Sequence, residues 1–104
     1  MEVKITDDNY SEILSQDKLV VIDVWATWCG PCRMVSPTID ALAEQSAGKV
    51  NVGKVNVDEN EELPAKFGIR NIPTVLFIKD GQVVDKVVGA AARPVFEEKI
   101  NALL

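Results

Sequence analysis

The chain is divided into short segments whose hydrophobic residues recur either at every second position or at every third and fourth position. A period of two is typical of strands, and a period of 3.6 is typical of helices. Residues 19–26 (LVVIDVWA) are apolar on both faces apart from one aspartate, which predicts a central strand covered on both sides. The predicted strands are residues 3–5, 19–26, 49–57, 74–78 and 83–88.

The longest segment with helical spacing covers residues 32–47. Pro37 lies inside this predicted helix and should kink it, and Gly48 should end it. The apolar residues that this spacing brings to one side of the helix are Met34, Val35, Ile39, Leu42 and Ala43.

Three further helices are predicted. The first runs to Leu14, and either Asp7 or Asp8 could cap its amino end. The acidic residues 58–62 suit the start of the next helix, because helix amino ends favour negative charge. This helix should run to about Phe67. Residues 94–104 predict the last helix.

The last two predicted strands are joined by Asp80-Gly81, a typical signal of a tight hairpin. The predicted order of elements is therefore β-α-β-α-β-α-β-β-α. Strands that alternate with helices favour parallel pairing, and the hairpin adds an antiparallel pair. The sequence predicts an α/β fold in which a central mixed sheet of about five strands is flanked by about four helices on both faces, with residues 1–104 forming one domain.

The composition narrows the possible classes of function. The chain has 104 residues, 47% of them hydrophobic, and a formal net charge of −5. No cluster of Lys and Arg exceeds two residues, so a surface for nucleic acid or anionic membrane is not expected. No apolar run approaches the roughly 18 residues that a membrane span needs, and no signal peptide is recognised. We expect a cytoplasmic monomer that binds neither nucleic acid nor membrane, with the processed form of an exported protein as the alternative.

Cys29 and Cys32 are the only cysteines, and they stand three residues apart in a chain without histidine. A purely structural bridge across so small a loop would stabilise the fold by roughly 2 kcal/mol at most. Zinc would need four ligands, usually cysteine or histidine, so carboxylates or a second chain would have to complete the site. Of the three interpretations, a reactive dithiol is the favoured one.

The predicted position of this pair suits a reactive dithiol. It follows a buried strand and opens a helix, where unpaired N–H groups and the helix dipole favour a thiolate. Cys29 lies at the very start and should be the more exposed, whereas Cys32 lies one turn in and shares its face. Gly30 and Pro31 complete the turn, and Pro31 lacks an N–H that the first helical turn does not need.

For the other candidate residues, the sequence alone leaves the role open. Asp23 lies within the apolar strand, where desolvation would raise its pKa, although an aspartate at a strand end could instead be bonded to solvent. Lys54 would ordinarily be a solvated charge on a strand. Pro73 has only about a 5–6% chance of a cis peptide bond, and residues 88–90 could be a plain strand end.

Four segments, VIDVWATWCGPCRM, KVNVDEN, FGIRNIPTVLFIKDG and VVGA, occur in an order that resembles the thioredoxin family along essentially the whole chain. The resemblance implies the thioredoxin fold, which agrees with the predicted order of elements. It implies that Cys29 is the attacking thiol and Cys32 the resolving thiol. It further implies that Asp23 is a buried carboxylate that accepts the proton of Cys32, and that Lys54 lies near this carboxylate.

The same resemblance implies a docking region for substrates. Pro73 matches the family's cis-proline, and Ile72 before it would pair its backbone with an extended substrate chain. Ala92 and Asn71 depart from the family: Ala92 cannot cap the last helix by its side chain, and Asn71 replaces a smaller residue. The implied apolar docking patch comprises Trp28, Gly30, Pro31, Ile72, Pro73, Val88, Gly89 and Ala90.

The implied activity is that of a general protein-disulfide reductase, a thiol-disulfide oxidoreductase that binds no cofactor or metal and uses the Cys29–Cys32 disulfide as its redox group. A thioredoxin reductase, a flavoenzyme that draws on NADPH, would recharge it. Implied substrates include ribonucleotide reductase, methionine sulfoxide reductases and peroxidases. Two alternatives stay open: a disulfide oxidase or isomerase, whose relatives usually carry a histidine between the cysteines, and a non-catalytic binding module with this fold.

Overall fold

A computed structural model describes residues 2–104, which form five strands and four helices in the predicted order. The observed bounds lie within one or two residues of most predicted ones. The strands are β1 Glu2–Lys4, β2 Leu19–Trp25, β3 Val50–Asn56, β4 Thr74–Lys79 and β5 Gln82–Val88. The helices are α1 Tyr10–Leu14, α2 Gly30–Gln45, α3 Glu62–Lys66 and α4 Arg93–Leu103.

The five strands form one mixed sheet in the order β1-β3-β2-β4-β5. Strand β2 lies at the centre, parallel to β3 on one side and antiparallel to β4 on the other. Strand β1 pairs parallel with β3, and β4 and β5 form the predicted hairpin. Its turn residues Asp80 and Gly81 have φ of 54° and 77°, the positive values that a tight hairpin turn requires. The predicted mixed α/β sheet is confirmed.

Helices cover both faces of the sheet. Because side chains alternate along a strand, the odd and even positions of β2 contact different helices. Odd positions such as Val21 pack with residues of α2 and α4, including Ile39 and Phe96. Even positions such as Ile22 pack with α1 and α3, including Leu63. The prediction of a central strand covered on both sides is therefore correct, and any polar side chain within β2 is forced into one of two apolar layers.

Helix α2 is longer at its start and shorter at its end than predicted. It begins at Gly30, continues through Pro37 and ends at Gln45, followed by Gly48 with a φ of 86°. One residue of the predicted apolar side is wrong, because Met34 is 74% exposed. Each helical residue turns the side chain by about 100°, so Met34 points away from the stripe that its neighbour Val35 begins. The other predicted members of the stripe are buried.

The prediction that Asp7 or Asp8 caps α1 is wrong. The residue before α1 is Asn9, and its side chain makes no capping hydrogen bond to the helix. The Asp7 carboxylate instead accepts hydrogen bonds of 2.9–3.1 Å from the backbone N–H groups of residues 61–63, at the amino end of α3. These bonds, first that of Leu63, lower the pKa of Asp7. A capping carboxylate thus comes from more than 50 residues away, which local sequence rules cannot detect.

None of the helices within residues 2–104 combines the length and the apolar character that crossing a membrane requires.

We expect a serine at position 92 to stabilise α4. Ala92 has the extended backbone of a capping residue (φ −78°, ψ 153°) but provides no side-chain hydrogen bond to the helix. Pro94 has no N–H, so a serine hydroxyl would accept the N–H of Val95, which at present donates to the carbonyl of Ala92 over 3.0 Å. Because that N–H already has a partner, Ala92→Ser should raise the free energy of unfolding by up to about 1 kcal/mol in urea denaturation.

The matched control is Ala102→Ser, which adds the same hydroxyl at an exposed position in the last turn of the same helix. This substitution offers no acceptor to the amino end and should leave stability unchanged or slightly lower. Equal effects of the two substitutions would show that Ala92 does not occupy a capping position.

Candidate active site

The two cysteines lie where the connection from β2 enters α2. Cys29 is the residue before the helix, with extended backbone (φ −92°, ψ 109°), and its Sγ accepts the N–H of Cys32 over 3.2 Å. The two residues form a disulfide, and their Cα atoms are 5.3 Å apart, within the range that a bridge needs. In the reduced state, the N–H of Cys32 and the positive end of the helix dipole would stabilise a thiolate at Cys29.

The dithiol is nearly covered by its surroundings. Cys29 is 5% exposed and Cys32 is 2% exposed, so the predicted ranking is right, but both residues are buried. The pair packs with Ala26 and with the half-buried Trp25 and Ile72. The two sulfur atoms are therefore mostly shielded from bulk solvent.

Trp28 forms the exposed side of the dithiol loop. It is 66% exposed, and its Nε1 donates to Asp58 Oδ2 over 2.9 Å. Trp25 packs against the dithiol. Sequence patterns did not reveal Asp58, because it lies 30 residues from Trp28; the only signal was its position directly after a predicted strand, which could bring it to the same edge of the sheet.

A second loop approaches the dithiol from the start of β4. The peptide bond between Ile72 and Pro73 is cis, as predicted, and Ile72 packs against the cysteines. The carbonyl of Pro73 accepts the N–H of Gly89 over 2.8 Å, and Val88 is the strand partner of Thr74. The predicted docking residues of three chain segments therefore meet at one end of the sheet: residues 28–31, 72–73 and 88–90.

The backbone of Ile72 is unusually available. Within residues 2–104, neither its N–H nor its carbonyl takes part in a hydrogen bond. The neighbouring residues are committed, since the carbonyl of Asn71 accepts Thr74 Oγ1 over 2.6 Å and the carbonyl of Pro73 accepts Gly89. Free backbone groups beside an exposed apolar patch are what an extended peptide needs for strand-like pairing.

Asp23 is a buried carboxyl group in the centre of the sheet. It lies in β2 between Lys54 of β3 and Val75 of β4, and it is 1% exposed. Among the described residues, neither of its oxygens has a hydrogen-bond partner. Burial raises the pKa of Asp23 to about 7, against the lowering effect of the Lys54 charge. A group that titrates near neutral pH can both accept and return a proton.

Lys54 is next to Asp23 in the strand register but binds other groups. Its Nζ donates to Ser36 Oγ and, over 2.8 Å, to Asp40 Oδ1, and it lies 3.5 Å from Glu2 Oε2. Burial lowers the pKa of Lys54, but the Asp40 hydrogen bond and the nearby carboxylates together raise it. Sequence patterns did not reveal these partners; the only signal was that Ser36 and Asp40, two polar residues of α2, stand four apart, on the same side of the helix.

A cavity of about 250 Å³ connects the buried carboxyl group with the dithiol. Asp23, Cys32 and Ser36 all line it. A space of this size with polar groups on its walls is large enough for water, and a water chain can carry a proton between groups that do not touch. The arrangement can thus exchange a proton between Cys32 and Asp23 while protein covers both.

Residues 2–104 contain no group of three or more His, Cys, Asp and Glu side chains arranged to hold a metal ion.

We expect Asp23→Ala to stabilise the fold at neutral and alkaline pH. With a pKa of 3.8 when unfolded and about 7 when folded, the carboxyl group binds its proton more tightly in the folded state. The contribution of this one group to wild-type stability is then highest below about pH 4 and falls as pH rises to about 7, by about 4 kcal/mol in all. Removing the carboxyl group should raise the free energy of unfolding at pH 8 by about 2–4 kcal/mol, after the loss from the small cavity created.

The measurement is urea denaturation of the oxidised protein between pH 4 and pH 8. The gain of the variant should shrink towards pH 4, where the wild-type carboxyl group is protonated in both states. Asp17→Ala, at an exposed position, is the control and should show no such pH-dependent gain. A variant less stable than the wild type at pH 8 would contradict a costly buried charge.

Comparison with known proteins identifies the family of the chain. The family model described as Thioredoxin matches residues 1–102. The chain is 50% identical over 97 residues to a thioredoxin of Chlorobaculum thiosulfatiphilum, which covers 92% of this chain and 90% of that protein. It is 48% identical over 94 residues to a thioredoxin of Haemophilus influenzae, with 90% and 88% covered. It is also 44% identical over 98 residues to a chloroplastic M-type thioredoxin of Pisum sativum, with 93% and 57% covered.

These matches confirm the resemblance seen in the sequence, and the bridged cysteine pair occupies the position that the family's chemistry requires. The chain therefore belongs to the thioredoxin family and is a thiol-disulfide oxidoreductase that acts as a protein-disulfide reductase.

Proposed function

We propose that Cys29 and Cys32 divide the reaction between them. The Cys29 thiolate attacks one sulfur of a substrate disulfide, so that a mixed disulfide forms and the other substrate sulfur leaves as a thiolate. Cys32 then loses its proton and attacks Cys29 Sγ, which releases the second substrate thiolate and closes the Cys29–Cys32 bridge. Two electrons pass from the protein to the substrate. The second step is fast because both thiols belong to one helical turn.

We propose Asp23 as the acceptor of the Cys32 proton. The observation that carries this role is the cavity whose walls include both Asp23 and Cys32. A pKa of about 7 for the carboxyl group supports it, since a general base works best when its pKa lies near the working pH. Lys54 would act on Asp23 through its charge, because its own hydrogen bonds go to other groups.

The proposed docking site reads an extended backbone rather than particular side chains. Ile72, before the cis Pro73, would pair its free N–H and carbonyl with a substrate strand. The exposed side chains of Trp28 and Val88 would cover the substrate's apolar groups. The remaining residues of the docking patch, Gly30, Pro31, Gly89 and Ala90, would let the partner's backbone approach closely. Such a site favours a broad range of disulfide-bonded proteins.

The family has a reductase and disulfide-bonded proteins as its general partners. We propose that a thioredoxin reductase, a flavoenzyme that draws on NADPH, returns the bridge to the dithiol state. Ribonucleotide reductase, methionine sulfoxide reductases and peroxidases are the proposed substrates. A reducing compartment such as the cytoplasm suits this cycle. The sheet that joins all five strands supports the prediction of one domain over residues 1–104.

The reduction potential of the Cys29–Cys32 couple tests the direction of this chemistry. Known couples set the scale: about −270 mV for thioredoxin and about −180 mV for protein disulfide isomerase. We expect a value near the first after equilibration of the protein with a dithiol buffer of known ratio. A value near −180 mV or above would mean that the protein is an oxidant or isomerase, and the proposed electron source and compartment would both be wrong.

Single cysteine substitutions test the division of roles. Cys32→Ser should accumulate a covalent mixed disulfide with a disulfide-bonded substrate protein, because the attacking thiol remains and the resolving thiol is gone. Cys29→Ser should form little or none. Non-reducing electrophoresis after acid quenching measures both. Equal trapping by the two variants would contradict distinct roles for the two thiols, and a substrate that still binds the double variant would indicate docking that does not need the dithiol.

A further inference from the structure

The ammonium group of Lys54 is surrounded by three oxygen atoms from two other elements. It donates to Ser36 Oγ and, over 2.8 Å, to Asp40 Oδ1, both on α2. Glu2 Oε2, on β1, lies 3.5 Å from it. A lysine ammonium group has three N–H donors and no acceptor. Three acceptors therefore match its full capacity for hydrogen bonds.

The carboxylate of Asp23 receives none of these donors, although Lys54 is its direct partner in the register of β2 and β3. Both side chains lie on the face that α2 covers, because Val21 and Val52, two positions before each of them, pack in that layer. Neither oxygen of Asp23 has a hydrogen-bond partner among residues 2–104. Lys54 and Asp23 are therefore neighbours in the sheet but form no hydrogen bond, because α2 and β1 supply competing acceptors for the lysine.

The direction of the Lys54 side chain matters for the proton affinity of Asp23. A positive charge within about 4–6 Å favours the ionised form of a carboxyl group and lowers its pKa by about 1–3 units. A direct contact with Lys54 would therefore offset much of the rise that burial produces. Asp23 would then stay ionised but would be a weaker base for the Cys32 thiol.

The other groups that face Asp23 do not replace this arrangement. Arg33 of α2 lines the same cavity, but its guanidinium donates to the carbonyl of Thr27 over 2.8 Å. Strand β4 contributes the apolar Val75 at this level of the sheet. The charged groups that face Asp23 from the elements packed against it are Lys54, Glu2, Asp40 and Arg33.

Asp40 keeps its charge at neutral pH. Hydrogen bonding with Glu2, and then with Lys54, holds the pKa of Asp40 below its usual value. Burial raises the pKa of Glu2, and Asp40 raises it further. Of the two carboxyl groups, Asp40 is therefore the more readily ionised. Its contact with Lys54 at 2.8 Å is also the shorter one.

We propose that Ser36 and Asp40, assisted by Glu2, are positioning residues that hold the Lys54 ammonium group away from Asp23 and so keep the buried carboxylate ready to accept the proton of Cys32. This inference rests on the proposed role of Asp23. The helix that starts with the dithiol also carries the residues that hold the lysine. One face of α2 would therefore control the resolving step. Ser36 links the two, because it binds Lys54 and lines the cavity shared by Asp23 and Cys32.

The first experiment follows the side-chain carboxyl carbon of Asp23 by NMR across a pH titration of the oxidised protein. Ser36→Ala changes no charge and frees one donor of Lys54, so it should lower the pKa of Asp23. The pair Ser36→Ala and Asp40→Asn should lower it by about one unit or more. Ser36→Thr, which keeps a hydroxyl group, should restore the wild-type value. An unchanged pKa of Asp23 in both the single and the paired variant would overturn the inference.

Two comparisons separate release of Lys54 from loss of charge. Glu44→Gln removes the same charge from an exposed position of α2 one turn beyond Asp40, and it should leave the pKa of Asp23 nearly unchanged. A double-mutant cycle with Lys54→Met asks whether Asp40 acts through the lysine. The effect of Asp40→Asn on the pKa of Asp23 should be much smaller in the Lys54→Met background. Effects of equal size in the two backgrounds would mean that Asp40 acts by its own charge, against the proposal.

A kinetic readout distinguishes failure of this inference from failure of the proposed role of Asp23. The rate of bridge closure from a preformed mixed disulfide is measured in a single turnover as a function of pH. The midpoint of the rate profile should move to lower pH together with the pKa of Asp23 in the paired variant. If the pKa moves and the profile does not, the positioning of Lys54 stands while Asp23 is not the proton acceptor.

Discussion

Strand β2 carries an ionisable carboxyl group through the middle of a sheet that helices cover on both faces. Asp23 is shielded from solvent there, because β3 and β4 pair with β2 on either side and α2 covers this face of the sheet. Desolvation therefore dominates its behaviour and moves its titration to neutral pH. The same strand ends at Trp25, four residues before Cys29, so the group with the altered proton affinity lies in the strand that leads into the dithiol.

When it is ionised, the carboxyl group of Asp23 makes the sheet less stable. A charged group in a dry layer costs free energy unless it is paired, and the nearby ammonium group is bound elsewhere. Buried polar groups without partners are uncommon in proteins and are concentrated where function requires them. Asp23 is such a group, and the cavity beside it is also lined by Cys32, while the layers around it are apolar.

The proposed docking surface lies at one end of the sheet. Three segments that are distant in the chain converge at one edge: the loop before α2, the loop before β4 and the end of β5. The hydrogen bond from Gly89 to the carbonyl of Pro73 joins the last two, and Ile72 packs against the cysteines. Because these segments are anchored by strands, the proposed docking surface has a defined shape although it consists of loops.

The sequence by itself determined the order of elements, the central covered strand, the hairpin and the reactive pair. These depend on periodicity, turn chemistry and residue spacing, which are local properties, and the family resemblance supplied the cis Pro73 and the proximity of Lys54 to Asp23. Only the tertiary structure decided which partners the polar side chains take. Asp7 caps α3 instead of α1, Trp28 binds Asp58, and Lys54 turns to α2. Each of these contacts joins residues that are far apart in the chain, and hydrogen bonds of this kind form only after packing has brought the elements together.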